Sequence, residues 1–132
     1  MKYQEIDIGM KFSFEREIKY EDVRNFGLLV GDKNKMHISN ELGKKSEKGV
    51  IAHGLFIGSF IAPLLGTYFP ISNNLLHSIS LEFRNSVYTN EKIKIEGEVI
   101  KKNDIFKSLT IKILIHNSKI NFVKGKAIIK II

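Results

Sequence analysis

The sequence predicts an α+β protein in which an antiparallel sheet wraps one long buried helix, and three features carry that prediction. Residues 50–71, VIAHGLFIGSFIAPLLGTYFPI, hold no formal charge, so a helix there is apolar all round and belongs inside a core. After Asn73 the pattern changes to period two, clearest in IKIEGEV, LTIKILI and AIIKII, as in strands with one buried face. Junctions at Thr89-Asn90, Lys102-Asn103-Asp104 and Asn117-Ser118 carry turn chemistry. They divide the second half into strands at 76–84, 91–102, 107–117 and 120–131, expected to run as an antiparallel meander. A helix apolar on every side, followed by such strands, is the order expected of a sheet laid around a helix.

The first half reads as a strand, a helix and a loop. Residues 11–19, KFSFEREIK, alternate enough to form a strand. Tyr20, Val23, Phe26 and Val30 then recur at helical spacing, and Glu21 and Asp22 suit the positive end of a helix over 20–30 that Gly31 ends. Residues 32–49 are polar and read as a loop. In the uncharged run Gly54, Gly58, Ala62 and Gly66 repeat every fourth position, which makes a flat face that a sheet or a thin ligand could approach closely. The length of 132 residues, 43% of them hydrophobic, suits one domain over 1–132 with its own core.

Composition limits the chemistry. With 0 Cys there is no thiolate catalysis, disulfide or Cys-ligated zinc, which fits a reducing compartment. The start, MKYQEIDIGMKF, does not read as a signal peptide, and a cytoplasmic location is expected. The run at 50–71 raises a membrane span, but His53, Pro63, Pro70 and its glycines leave about 15 good helical positions where about 20 are needed, so no insertion is expected. The net charge of +7 favours anionic partners. Most lysines alternate with isoleucine, as at Lys92, Lys94, Lys112 and Lys130, which is the pattern of solvated strand faces; Lys44, Lys45 and Lys48 form the one cluster that could hold a phosphate. No nucleic-acid motif is present, and none is expected to bind.

The residues that carry chemistry lie in Gly31-Asp32-Lys33-Asn34-Lys35-Met36-His37, followed after a spacer by Ile51-Ala52-His53-Gly54 at the start of the buried helix. These two linked motifs resemble those of the MaoC-like, (R)-specific enoyl-CoA hydratases, whose loop reads G-D-x-N-P-x-H and whose central helix opens with H-G. The similarity covers nearly the whole chain, including Leu81-Glu82-Phe83-Arg84-Asn85-Ser86-Val87. It implies a hot-dog fold, with the sheet around a helix at 54–68 and the loop at 32–49 over its start. It implies Asp32 and His37 as the catalytic acid/base pair, and Gly54 as the residue whose backbone N–H faces the thioester oxygen. Asn34, His53 and Arg84 are candidate substrate-binding residues. The implied activity is addition of water to a trans-2-enoyl thioester, reversibly, with (R) stereochemistry. The acyl group would be carried by coenzyme A, or alternatively by acyl carrier protein; no metal or redox cofactor is implied, and a homodimer is expected. The chain departs from the pattern at Lys35, where proline is usual, at Ala62, where some members carry serine, and at Asn90-Glu91, in place of a common Gly-Asp turn.

The residues support this chemistry on their own terms. Hydration needs a base to take a proton from water as it attacks C3, an acid to protonate C2, and donors for the charge developing on the carbonyl oxygen. Residues five apart on one helix point about 140° apart, so Asp32 and His37 can share a water only if the segment turns, which Gly31 and Asn34 permit. Gly54, without a side chain, lets an oxygen approach the amides of a helix start. Each residue also has a plainer role: Asp32 as a cap, Asn34 as a shaper of the loop, His53 as a structural histidine. His77 and His116 lie on strands and suit surface or packing roles, and Ser59 has no base at a recognisable spacing. No metal-ligand spacing is present. Two rivals remain, a hot-dog thioesterase cleaving the same acyl bond and a non-catalytic acyl or nucleic-acid binding module.

Overall fold

The computed structural model describes residues 1–34, 37 and 49–132. After a single turn at Tyr3–Glu5 the elements are β1 (Lys11–Glu17), α1 (Tyr20–Val30), α2 (Gly54–Gly58), α3 (Ile61–Pro63), a π-helical turn (Leu64–Tyr68), β2 (Asn74–Phe83), β3 (Lys92–Asn103), β4 (Ser108–His116) and β5 (Asn121–Ile131). The five strands form one antiparallel sheet in the order β1-β3-β4-β5-β2. The rod made by α2, α3 and the π turn packs on the face that buries Ile93, Ile95 and Val99 of β3 and Leu109, Ile111, Ile113 and Ile115 of β4. The rod contributes Phe56, Ile57, Ile61, Leu64 and Leu65. Each isoleucine fully withdrawn from water contributes about 1.5–3 kcal/mol, and the period-two alternation in β3 and β4 is the mark of that one-sided burial.

Close packing of β1 on this face depends on Gly97. A methyl group there would lie 2.6 Å from Phe12 Cζ, and Phe12 in turn packs against Phe69 with ring centroids 5.0 Å apart. At the end of the rod nearer the loop, a side chain at Gly54 or Gly58 would meet Phe83 or Leu81 of β2 at 3.0 Å. The small-residue face is therefore used over its first half only, since Ala62 and Gly66 are exposed and nothing lies within 4 Å of a methyl group at Gly66.

Two expectations need correction. β3, β4 and β5 form a meander, but β2 pairs with β5 at the far edge of the sheet and not with β3. The segment between β2 and β3 explains this, because it is held by other elements: Ala52 N–H donates to Val87 O and Thr89 N–H to Val50 O, at 2.8 and 2.9 Å. It therefore spans the start of the rod instead of turning tightly. The long helix is also interrupted. Pro63 has no N–H for the carbonyl of Ser59, which accepts from Ala62 instead at 3.0 Å. Ser59 and Phe60 keep right-handed helical angles, so the rod's direction survives the break.

Among the described residues no helix is long and apolar enough to cross a membrane. Gly97→Ala should lower stability by about 1–3 kcal/mol, the usual cost of overpacking. Gly66→Ala should be neutral or stabilising, since it adds helix propensity at an open position. Urea unfolding of the two variants beside the parent measures both, and equal losses would contradict the packing described.

Candidate active site

The end of α1 sets the position of Asp32. Gly31 closes the helix in the left-handed conformation, φ 79°, which glycine adopts without strain. Gly31 and Asp32 both donate their N–H groups to Gly27 O, at 2.9 and 3.0 Å. Asp32 Oδ1 accepts the Asn34 N–H at 2.8 Å, and Asn34 O accepts the His37 N–H at 3.1 Å. This is the turn that brings residues 32 and 37 to one side. It is built from backbone groups and one carboxylate oxygen.

His37 Nδ1 lies 2.7 Å from Ile51 O. A carbonyl can only accept, so Nδ1 carries the proton, and a neutral His37 presents a lone pair at Nε2. Ile51 is itself fixed by a bridge to Tyr88. His53 follows two residues later and is 4% exposed. Its ring packs against His37 at a tilt of 31° with centroids 4.1 Å apart, meets the Phe26 ring at 5.0 Å, and brings Nε2 to 3.4 Å from Asp32 Oδ2. Burial first, and then the neighbouring His37, push the His53 imidazole below its ordinary value; Asp32 opposes this without offsetting it. His53 is thus held neutral.

Asp32, His37 and His53 each offer one polar atom, all within 4.8 Å of one another. One water accepting or donating hydrogen bonds of about 2.8 Å can bridge atoms so spaced. Among the described residues this is also the group that could hold a metal ion, through two imidazoles and a carboxylate. Beside it a cavity of about 300 Å³ is lined by His37, Ile51, Gly54, Phe83 and Arg84, among others. Gly54 is the first residue of α2, where helix amides have no partner within the helix, and it lines that cavity with the Phe83 ring packed close against its Cα.

The structure therefore groups Asp32 with His37 and His53, and puts His37 and Gly54 on the wall of the adjoining cavity. Arg84 stands at the cavity, exposed and paired with Glu82 at 3.0 Å. Asn34 shapes the turn through its backbone, with its side chain on the exposed surface. His53 lies behind the pair, against protein on most sides. His77 falls at the irregularity of β2, and His116 faces Glu96 at 3.2 Å on the outer face of the sheet. Ser59 donates its hydroxyl to Phe56 O. The departure at Lys35 and the Lys44, Lys45 and Lys48 cluster lie outside the described residues. Sequence reasoning missed Gly27 and Ile51. Gly27 accepts both amides at the end of α1, and a methyl group on it would meet His53 Nε2 at 3.2 Å.

A sheet curled around a helix defines a hot-dog fold, and Asp32 and His37 stand together near that helix's start. The family model for the MaoC like domain matches residues 3–119, and the chain belongs to that family. It is 30% identical over 98 residues to a 3-hydroxybutyryl-CoA dehydratase of Methylorubrum extorquens; the match takes in 74% of this chain and 62% of that protein's length. It is 24% identical to an (R)-specific enoyl-CoA hydratase of Aeromonas caviae, over 99% of both. Among solved structures, the unliganded (R)-hydratase PhaJ1 of Pseudomonas aeruginosa superposes with a TM-score of 0.90 at 25% identity, over 98% of this chain and 84% of that one.

The depressed His53 imidazole makes stability depend on pH. The unfolded chain takes up its proton as pH falls below about 6.5, while the folded chain resists until its lower value is reached. Stability present above about 6.5 should therefore fall through that window. Melting temperature measured in EDTA from about pH 8 to about pH 5 should drop in the parent, and His53→Phe should flatten the slope. An unchanged slope would place His53 outside the buried, neutral state.

Proposed function

We propose that the chain is an (R)-specific trans-2-enoyl-CoA hydratase, acting in reverse as a 3-hydroxyacyl-CoA dehydratase. The observation that carries this reading is that polar atoms of Asp32 and His37 lie within 4.8 Å of each other, with His37 also lining a cavity that Gly54 lines. In the forward direction the enoyl thioester lies in the cavity with its carbonyl oxygen toward the Gly54 N–H. Water held by Asp32 and His37 loses a proton to the pair as its oxygen bonds to C3. The C2=C3 electrons move toward the carbonyl, and the pair returns one proton to C2. The product is the 3-hydroxyacyl thioester, with one water added and the thioester intact. Arg84, beside the opening, suits an anionic carrier such as coenzyme A. The similarity to a named (R)-specific hydratase supports the stereochemistry, and no metal takes part in this scheme.

The chain is further proposed to pair with a second copy through β2. That strand is an edge of the sheet and exposes Leu75, Leu76, Ile79 and Phe83, an apolar margin with unpaired backbone groups. In sizing with light scattering the parent should run as a dimer, and Ile79→Lys should shift it toward monomer. A monomeric parent would remove this part of the reading.

Crotonyl-CoA offered to the purified protein should lose its conjugated absorbance with no thiol released, yielding the (R)-3-hydroxy product; prior dialysis against EDTA should not change the rate. Asp32→Asn and His37→Gln should each lower kcat by about 10²-fold or more, the usual contribution of an acid/base group. Thiol release matching substrate loss would make the protein a thioesterase instead, and an EDTA-sensitive rate restored by a divalent ion would give the Asp32, His37 and His53 group to a metal.

A further inference from the structure

His53 is buried, and among the described residues neither of its ring nitrogens has a hydrogen-bond partner. Leaving such groups unsatisfied costs about 1–3 kcal/mol each, so a residue chosen for packing alone would be apolar. On the side away from α1 its neighbours belong to the site. Its ring face carries His37 at 4.1 Å, its Nε2 looks at Asp32 Oδ2 across 3.4 Å, and its own backbone leads into Gly54. We propose that His53 is a positioning residue of the acid/base site, fixing the His37 ring by close ring packing and the Asp32 carboxylate by an Nε2–H directed at Oδ2. The proposal rests on the hydratase reading above.

The geometry gives each contact a purpose. Asp32 is held at Oδ1 by the Asn34 amide, but one hydrogen bond leaves the carboxylate free to swing about it. A donor opposite Oδ2 removes that freedom. At 3.4 Å the contact is long for a hydrogen bond, and it shortens if the carboxylate moves toward Nε2 when a water or substrate loads the other side. His37 is likewise fixed at Nδ1 by Ile51 O, which leaves rotation about that contact; the packed His53 ring stops it. Burial keeps His53 uncharged, so it restrains the pair without adding a third charge to the site. Its place is set from behind by Gly27 and by the edge of Phe26. His53 does not touch the substrate in this account.

The test compares His53→Phe, His53→Gln and Gly27→Ala with the parent on crotonyl-CoA, with melting temperature recorded for each. His53→Phe keeps the packed ring and loses the N–H; His53→Gln keeps an N–H and loses the ring; Gly27→Ala pushes the imidazole from behind. A misplacement of catalytic groups of about 1 Å can cost up to about 10²-fold, so His53→Phe and Gly27→Ala should lower kcat by about tenfold with KM changed less than about twofold. His53→Gln should recover part of the loss relative to Phe. The His37 ring proton resonances should move in Gln and in Gly27→Ala, since the packed ring leaves or shifts. An active parent with Gly27→Ala and His53→Gln at its rate, and with His37 resonances unmoved, would overturn the proposal. That result stands even if His53→Phe fails to fold. An inactive parent would instead overturn the hydratase reading itself.

Discussion

A rod with no charged residue between Val50 and Ile71 has a broad apolar face to cover, and one sheet covers it by curving around it, while Leu55, Ala62, Gly66 and Tyr68 stay on the exposed side. The means of curvature are visible along the strands. The pairing shifts register in β2 between Leu76 and Ser78, and in β3 between Val99 and Lys101, where an extra residue bends a strand and increases its twist. Gly97 and Gly125 lie on one cross-strand row, each opposite Ile113 of β4, and their missing side chains let Phe12 and Leu81 fold inward. Wrapping in this way leaves the start of the rod at the rim of the sheet. A helix start at a rim offers amides that the sheet does not use.

That rim is also where the core meets polar chemistry. The aliphatic packing under β3 and β4 gives way at His53 to imidazole, carboxylate and backbone carbonyl within a few ångströms. Unsatisfied polar groups are destabilising, and among the described residues both ring nitrogens of buried His53 are of this kind. The outer face of the sheet shows the opposite regime. There burial raises the Glu96 carboxyl, but Lys94 and His116 together bring it below its ordinary value, so the carboxylate keeps its charge beside these two partners.

Much of this fold is legible in the amino-acid order, because burial imposes period on it. Tyr20–Val30 forms as the spacing predicts, and β3, β4 and β5 fall within a residue or so of the alternating stretches. Two things were hidden. Alternation reports which face of a strand is buried and not which strand lies beside it, so the pairing of β2 with β5 had to come from backbone contacts made by residues 50–52 and 87–89. In the site, the motif displayed Asp32, His37 and Gly54, but Gly27 reads as an ordinary interruption of a helix. Its importance comes from a ring that arrives from a residue 26 positions later in the chain, a distance at which neither spacing nor propensity carries a signal.

The anchors of Asp32 and His37 are mostly main-chain atoms. Gly27 O holds the Asp32 amide, Asn34 O holds the His37 amide, and Ile51 O holds the His37 ring. Gly27 belongs to α1, which the left-handed Gly31 closes, and Ile51 lies at the entry to the rod, where it is tied to Tyr88. Each of these carbonyls is placed by an element outside the residue it holds, so the positions of Asp32 and His37 depend on how α1 and the entry to the rod meet.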